Sequence, residues 1–423
     1  MGRLSFFFPR IKRFWKTLGP GLITGASDDD PSAITTFSQA GAKYGLATLW
    51  MAILAFPILA VIQEICARIG IVTGKGLTGV IKKHYPPWIL YTLIALTCPA
   101  FLLNIGADTA VLGEAGNLLF PAIRPLYCSI GFTLLLFLLI LWLPYKKLAV
   151  IMKYICLSLL VYLIVPFLSS QNPFAIIRSS LVPCFHPEKN FFLIVTGLTG
   201  AIISPYLFFW QASSEVEQMK DLSLEKKRSR KFTIRRVYRD ILSGAFFAVL
   251  IMYFIILTTG TILHNNGIQN IDTIRDAAMA LKPLAGNMSF VLFSIGIIGT
   301  GFLIIPVLSA SISYILTEAF NLKSGLSKSP GEARLFYIII AIAMGFGVAM
   351  HWLGISSVKA LLSTTILYGI TAPFLIAIIL HVSNNKTIMG AYRNNPFSNS
   401  IGIIILILMM ATLIMLGYFL LAG

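Results

Sequence analysis

The chain has 423 residues, 57% of them hydrophobic and 12% charged, with a mean hydropathy of +0.84. A soluble globular protein carries about twice that charged fraction, so the composition excludes one and indicates a polytopic membrane protein. The net charge of +17 would suit nucleic acid, but in so apolar a chain it reads as loops obeying the positive-inside rule, and no nucleic-acid partner is expected.

Apolar windows of about 17–25 residues, the length that spans a bilayer, fall near 17–41, 46–67, 87–112, 126–143, 148–169, 190–214, 240–262, 287–317, 335–353, 356–380 and 399–421. The expected fold is an all-α polytopic membrane protein of eleven transmembrane helices. Residues 1–16 are basic, yet the apolar run after them carries acids instead of a small-residue cleavage site, so the first helix is expected to stay in the membrane. Placing the amino terminus in the cytoplasm puts most of the 33 Lys and Arg residues inside, including those of the basic loop 220–239. Its run 226–231 reads as a topogenic, solvated loop more readily than as a lipid patch.

The first span carries the strongest functional signal. Its flanking cations are Lys16 and Lys43, so its middle falls on Ser27-Asp28-Asp29-Asp30-Pro31-Ser32, near the bilayer midplane. A carboxylate in hydrocarbon costs at least about 2.5–3.5 kcal/mol, so Asp28, Asp29 and Asp30 must face protein, water or a cation. Pro31 cannot donate its backbone N–H and disfavours helix at Asp30, so the helix should break at the acids. Asp30 capping a second half-helix that begins at Pro31 is the plainer reading, but one cap does not require three acids.

The outer segment 170–189, with Pro173, Pro183, Cys184, His186 and Pro187, is expected to be irregular, and His186 alone makes no metal site. The five cysteines are widely spaced and odd in number, which suggests neither a disulfide framework nor a zinc site. The sixth span also breaks in its middle, at Gly200-Ala201-Ile202-Ile203-Ser204-Pro205-Tyr206. Two interrupted spans at matching places point to an inverted-repeat transporter with its site between them. The expectation is a five-plus-five repeat with broken first and sixth helices: repeat one about 17–169, repeat two about 190–380, and an extra helix about 399–421.

These residues resemble the Nramp family of divalent-metal transporters, which share an inverted-repeat, LeuT-like fold. The resemblance runs through Leu18-Gly19-Pro20-Gly21, Asp30-Pro31, Gln39-Ala40-Gly41, Gln63-Glu64, Asn104 to Asp108 and Ser204-Pro205. It implies that Asp30 and the carbonyl of Ala201 hold the metal, with Ser204 a third candidate, and that Asp28, Asp29, Ser32, Ala33, Asp108, Tyr206 and Thr371 line or support the site. The departures narrow the branch. The family asparagine after Asp-Pro-Gly is Ala33, Met-Pro-His reads Ser204-Pro205-Tyr206, the glutamate three residues after Asp108 is Val111, and a tenth-helix glutamine aligns loosely with Thr371. That pattern is similar to the Nramp-related magnesium transporters. A thioether suits softer ions, whereas an all-oxygen site suits Mg²⁺, so the expected substrate is Mg²⁺, then Mn²⁺ or Fe²⁺.

The resemblance implies a secondary transporter of a bacterial-type plasma membrane, working by alternating access. Its partners are the bilayer and a divalent metal ion carried as substrate, with no cofactor and no enzymatic activity. An amino-acid or other small-solute carrier of the same fold is the rival, though three aspartates would repel a substrate carboxylate. A Mg-dependent membrane prenyltransferase is a remoter one, since it needs a second acidic cluster that the sixth-span break lacks. For Ser204, close helix packing competes with ligation; for Glu64 and Asp108, hydrogen bonding to a broken helix competes with an ion-path role.

Overall fold

The computed structural model describes residues 25, 27–143, 162–164, 172–223, 230–282 and 286–422. The longer helices, numbered in chain order, are α1 (Pro31–Tyr44), α2 (Leu49–Thr73), α3 (Leu77–His84), α4 (Pro87–Leu119), α5 (Pro125–Trp142), α6 (Pro173–Leu181), α7 (Lys189–Ile202), α8 (Pro205–Ser223), α9 (Arg230–Ile262), α10 (Ser289–Ala319), α11 (Arg334–Trp352), α12 (Ser357–Asn384) and α13 (Pro396–Ala422). No strand occurs among the described residues.

Proline writes much of this punctuation. Helices α1, α4, α5, α6, α8 and α13 all begin at a proline, whose missing N–H would be unpaired at that position anyway and whose φ is already helical. Pro57, Pro99, Pro306 and Pro373 instead lie inside α2, α4, α10 and α12. Membrane helices tolerate such interior prolines because neighbouring groups satisfy the freed carbonyls.

Nine helices among the described residues are long and apolar enough to cross a membrane, α7 and α8 together making one of them. They coincide with the predicted second to fourth and sixth to eleventh spans. The predicted first span is described from residue 25 onward, without residue 26, and the fifth, 148–169, lies outside the described residues apart from 162–164.

Two expectations are corrected. The segment 170–189 contains the helix α6: Pro173 opens it and the Asn172 side chain accepts from the Phe174 N–H at 3.0 Å. A proline preceded by a capping asparagine starts a helix, whereas proline content alone reads as a breaker. The basic stretch 230–239, expected as loop, is the first part of α9, its arginines solvated on a helix that continues past the apolar zone. The run 226–229 lies outside the described residues.

The α7–α8 pair and α10 occupy the centre, with 83% and 78% of their apolar windows buried, against 28% for α5 and 22% for α13. Exposed Leu134, Ile342 and Ile407 suit hydrocarbon and would be a liability in water. Glycines bring backbones together at two seams. A Cβ on Gly41 would collide with Thr259 Oγ1 and the Ile256 carbonyl on α9, and one on Gly200 would collide with the Thr365 carbonyl and the Gly369 nitrogen on α12. Small residues at such seams are the usual means of close packing in membranes.

Candidate functional site

The first span is interrupted where Pro31 predicts: residues 27–28 are helical, Asp29 bends, and Asp30 is extended at φ −72°, ψ 169° before α1 begins. Asp30 does two things at once. Its Oδ1 caps α1, accepting from the Ala33 N–H at 2.6 Å and the Ser32 hydroxyl at 2.5 Å. Its Oδ2 accepts from Asn104 Nδ2 at 3.3 Å and the Tyr206 hydroxyl at 3.4 Å, both long for their type. One oxygen is thus spent on the backbone, and the other is held loosely enough to turn to a cation.

Asn104 ties the surrounding helices to that oxygen. From mid-α4 its amide also donates to Asp108 Oδ2 at 3.2 Å, and its carbonyl accepts from the Thr364 hydroxyl of α12 at 2.9 Å. The Tyr206 hydroxyl, at the start of α8, makes its shorter bond to the Ser27 carbonyl at 3.1 Å. Asp28, Asp29, Asp30 and Asp108 are all buried. Asp28 Oδ1, Asp29 Oδ2 and Asp108 Oδ1 have no hydrogen-bond donor among the described residues. Buried carboxylate oxygens without donors are costly, and a cation is the natural complement. Among the described residues no three His, Cys, Asp or Glu side chains form a metal cage, so the acids are neighbours without converging on one point.

The sixth-span break is built differently. Helix α7 ends at Ile202, and Pro205 opens α8. An unbroken helix would pair the Ala201 carbonyl with the N–H of residue 205, which proline lacks. The freed carbonyl accepts from the Ser204 hydroxyl at 2.9 Å, and the same hydroxyl lies 3.4 Å from the Gly200 carbonyl. Ala201 and Ser204 therefore face one another in this structure.

Aromatic rings close the site on the α8 side. Phe101, Tyr206 and Tyr368 meet in a triangle with centroids 5.9–6.1 Å apart, and Phe209 packs on Phe101 at 6.2 Å. Thr36 of α1 meets Thr365 of α12 at 3.1 Å. Thr371 is not brought to the carboxylates: its hydroxyl donates to the Tyr368 carbonyl at 3.3 Å, and it lines a separate cavity of about 250 Å³ with Trp88, Leu93 and Phe374. The tenth-span residue at the level of Asp30 is Thr364. Glu64 is engaged in an ion pair with Arg68 at 2.8 Å, and Arg68 reaches on to the Tyr392 carbonyl and Asn394, holding α2 to the segment before α13.

Asn104, Thr364, Phe101 and Tyr368 were not among the residues singled out for the site, although Asn104 stood in the motif quoted for the resemblance. Its signal was available, because an amide four residues before a mid-span aspartate shares its helix face. Nothing in the sequence distinguishes Thr364 from its neighbouring threonines.

A bundle of membrane-crossing helices with two of them broken around buried carboxylates defines an integral membrane transporter. The chain belongs to the Nramp family: the family profile described as natural resistance-associated macrophage protein-like matches residues 21–419. Membership makes it a carrier and not an enzyme. It is similar to the divalent metal cation transporter MntH of Chromohalobacter salexigens, 24% identical over 412 residues covering 95% of this chain and 91% of that one. It is similar also to MntH of Caldanaerobacter subterraneus subsp. tengcongensis, at 23% over 401 residues, with 93% and 91% covered. In fold it resembles the Eremococcus coleocola manganese transporter, with a TM-score of 0.75 at 17% identity over 96% of this chain and 87% of that one. The closed form of the nucleobase-cation-symport transporter MHP1 gives a TM-score of 0.57 at 12% identity, with 95% and 92% covered.

Proposed function

We propose that the chain carries divalent metal cations across the membrane by alternating access, with Asp30 as the principal ligand. The observation that carries this reading is the set of buried carboxylates at the first-span break and at Asp108 of α4, three of whose oxygens lack donors among the described residues. The names of the MntH relatives support it. A substrate carboxylate would meet only like charge there, which disfavours the amino-acid carrier.

The donors at both breaks are oxygens, from the Asp30 carboxylate, the Ala201 carbonyl and the Ser204 hydroxyl. The Ser204 hydroxyl and the Ala201 carbonyl are hydrogen-bonded to each other at 2.9 Å, and an incoming cation would replace that bond. An oxygen octahedron accepts Mn²⁺ as readily as Mg²⁺. The Mg²⁺ expectation rests on this donor set and on the departures at Ala33, Val111 and Tyr206, whereas Mn²⁺ has the same donor set and also the solved manganese transporter in its favour. Mn²⁺ is therefore the substrate proposed, with Mg²⁺ as its competitor. Asp28, Asp29 and Asp108 supply field, Ser32 and Ala33 position the Asp30 carboxylate, and Tyr206 and Asn104 hold it. The repeat division at about 17–169 and 190–380 and a cytoplasmic amino terminus in a bacterial-type plasma membrane complete the proposal.

Uptake into proteoliposomes tests it. Mn²⁺ should accumulate, Mg²⁺ should compete and Cd²⁺ should compete poorly for want of a soft ligand. Absence of any divalent flux, with amino-acid flux in its place, would overturn the reading.

A further inference from the structure

Far from the carboxylates, a second concave site opens where the C-terminal ends of α2, α8 and α10 meet helix α3. It is a cavity of about 500 Å³ lined by Lys75, Lys82 and Lys83, by Gly79, and by Val216 and Glu318 on the facing helices. The Glu318 carboxylate is one negative charge against three lysines in this lining. Its Oε2 accepts from the Gly79 N–H at 2.9 Å and its Oε1 from the Ser213 hydroxyl at 2.9 Å, so it is spent capping α3 and joining α10 to α8. Among the described residues the one ion pair within 4.0 Å is Arg68–Glu64, and it involves none of these three lysines. Their field is felt nearby: burial first, then the charges of Lys83 and Lys75, hold the His84 imidazole below its usual pKa.

The residues beside the cavity suit a membrane surface. Exposed Trp88 and Tyr91 follow α3 directly, and aromatic residues of that kind mark the interface. We propose that this pocket binds a phosphate-bearing anion, either the headgroup of an anionic phospholipid or a soluble phosphate. Three lysines as point charges suit phosphate, and basic pockets between membrane helices take anionic headgroups. The pocket bridges α3 to α8 and α10, so an occupant lies across a seam between helices. The proposal stands independently of which ion is carried.

The test uses the whole protein in neutral detergent, with two probes. Native mass spectrometry counts retained phosphatidylglycerol against phosphatidylcholine, and calorimetry titrates inorganic pyrophosphate. The variant K75Q/K82Q/K83Q should weaken binding by about fivefold per lysine removed. Gly79→Leu should weaken it with every charge in place, because a Cβ there meets only ordinary contacts, 3.4 Å from Glu318 and 3.5 Å from Lys75, while the longer side chain fills the cavity. The control K386Q/R393Q removes two cations elsewhere and should leave binding unchanged. Retention of phosphatidylglycerol alone identifies a lipid site, and binding of pyrophosphate alone a soluble-anion site. The proposal is overturned if neither probe binds, if Gly79→Leu and the lysine variant both bind as the native chain does, or if the control loses as much as they do.

Discussion

Helix breaks one and six are each made by a proline, Pro31 in one and Pro205 in the other, yet they present different chemistry. At the first, three consecutive aspartates precede the proline, and Asp30 turns one oxygen to the backbone and the other to Asn104 and Tyr206. At the second, Ile203 and Ser204 precede it, no carboxylate is present, and the freed Ala201 carbonyl is covered by a hydroxyl. The backbone is tightly seated beside both breaks, with Gly25 against Gly244 at the first and Gly200 against Gly369 at the second. Charge is thus concentrated on one half of the site, and the other half contributes neutral dipoles on a firmly packed frame. A carrier must release what it binds, and a cation held by one formal ligand charge and weak dipoles leaves more readily than one held in a cage of carboxylates.

The widest difference between the two breaks should appear on deleting the charge. Asp30→Ala is expected to reduce metal affinity and uptake by more than the 10–100-fold, or about that, that loss of a supporting partner costs, since it removes the ligand itself. Isothermal titration and vesicle uptake would show it, and near-native transport by a well-folded Asp30→Ala protein would relocate the site. At the other break the vulnerable property is packing. Gly200→Leu should destabilise by about 3 kcal/mol, the upper part of the overpacking range, because its Cβ already meets the Thr365 carbonyl. Gly345→Leu, where a Cβ meets nothing within 4 Å, is the control. Equal melting temperatures for the two variants in detergent would mean the seam is not close-packed.

Both breaks were legible in the sequence, because a proline's missing donor and an acid's desolvation cost are local properties. The helix ends were legible for a similar reason: six of the long helices start at a proline. What joins the elements was not. Asn104 lies 74 residues from Asp30, and only the folded bundle brings its amide to that carboxylate. The tenth span offers Thr364, Thr365 and Thr371 with no local mark of depth, and the structure puts Thr364 on Asn104 and Thr371 beside Trp88. Helix α6 is not legible from Pro173 alone, since it is the Asn172 cap before that proline that marks a helix start.

Asn104 offers a sharper comparison, because it touches the charged break and leaves the neutral one alone. Asn104→Leu keeps the volume and removes the donor shared by Asp30 and Asp108. Affinity should fall by about tenfold, as for other groups that orient a metal ligand. The loss should be similar for Mn²⁺ and Mg²⁺, since no donor atom changes. A change in their ratio would show that the amide contacts the ion itself.

The smallest expected effect lies at the neutral break. Ser204→Met replaces a hydroxyl by a thioether and also uncovers the Ala201 carbonyl that the hydroxyl holds at 2.9 Å. The sulfur favours soft cations, and the released carbonyl serves hard and soft ions alike, so the two changes are separable by ion. Affinity for Cd²⁺ should rise severalfold relative to Mg²⁺, while Mn²⁺, which takes both oxygen and softer donors, should change least relative to either. Ser204→Ala uncovers the same carbonyl without adding sulfur and should leave the Cd²⁺ to Mg²⁺ ratio as it was. Calorimetry on both variants decides the matter. If Met and Ala give the same ratio, residue 204 does not face the ion, and the sixth-span break acts through the Ala201 carbonyl and its packing on α12 alone.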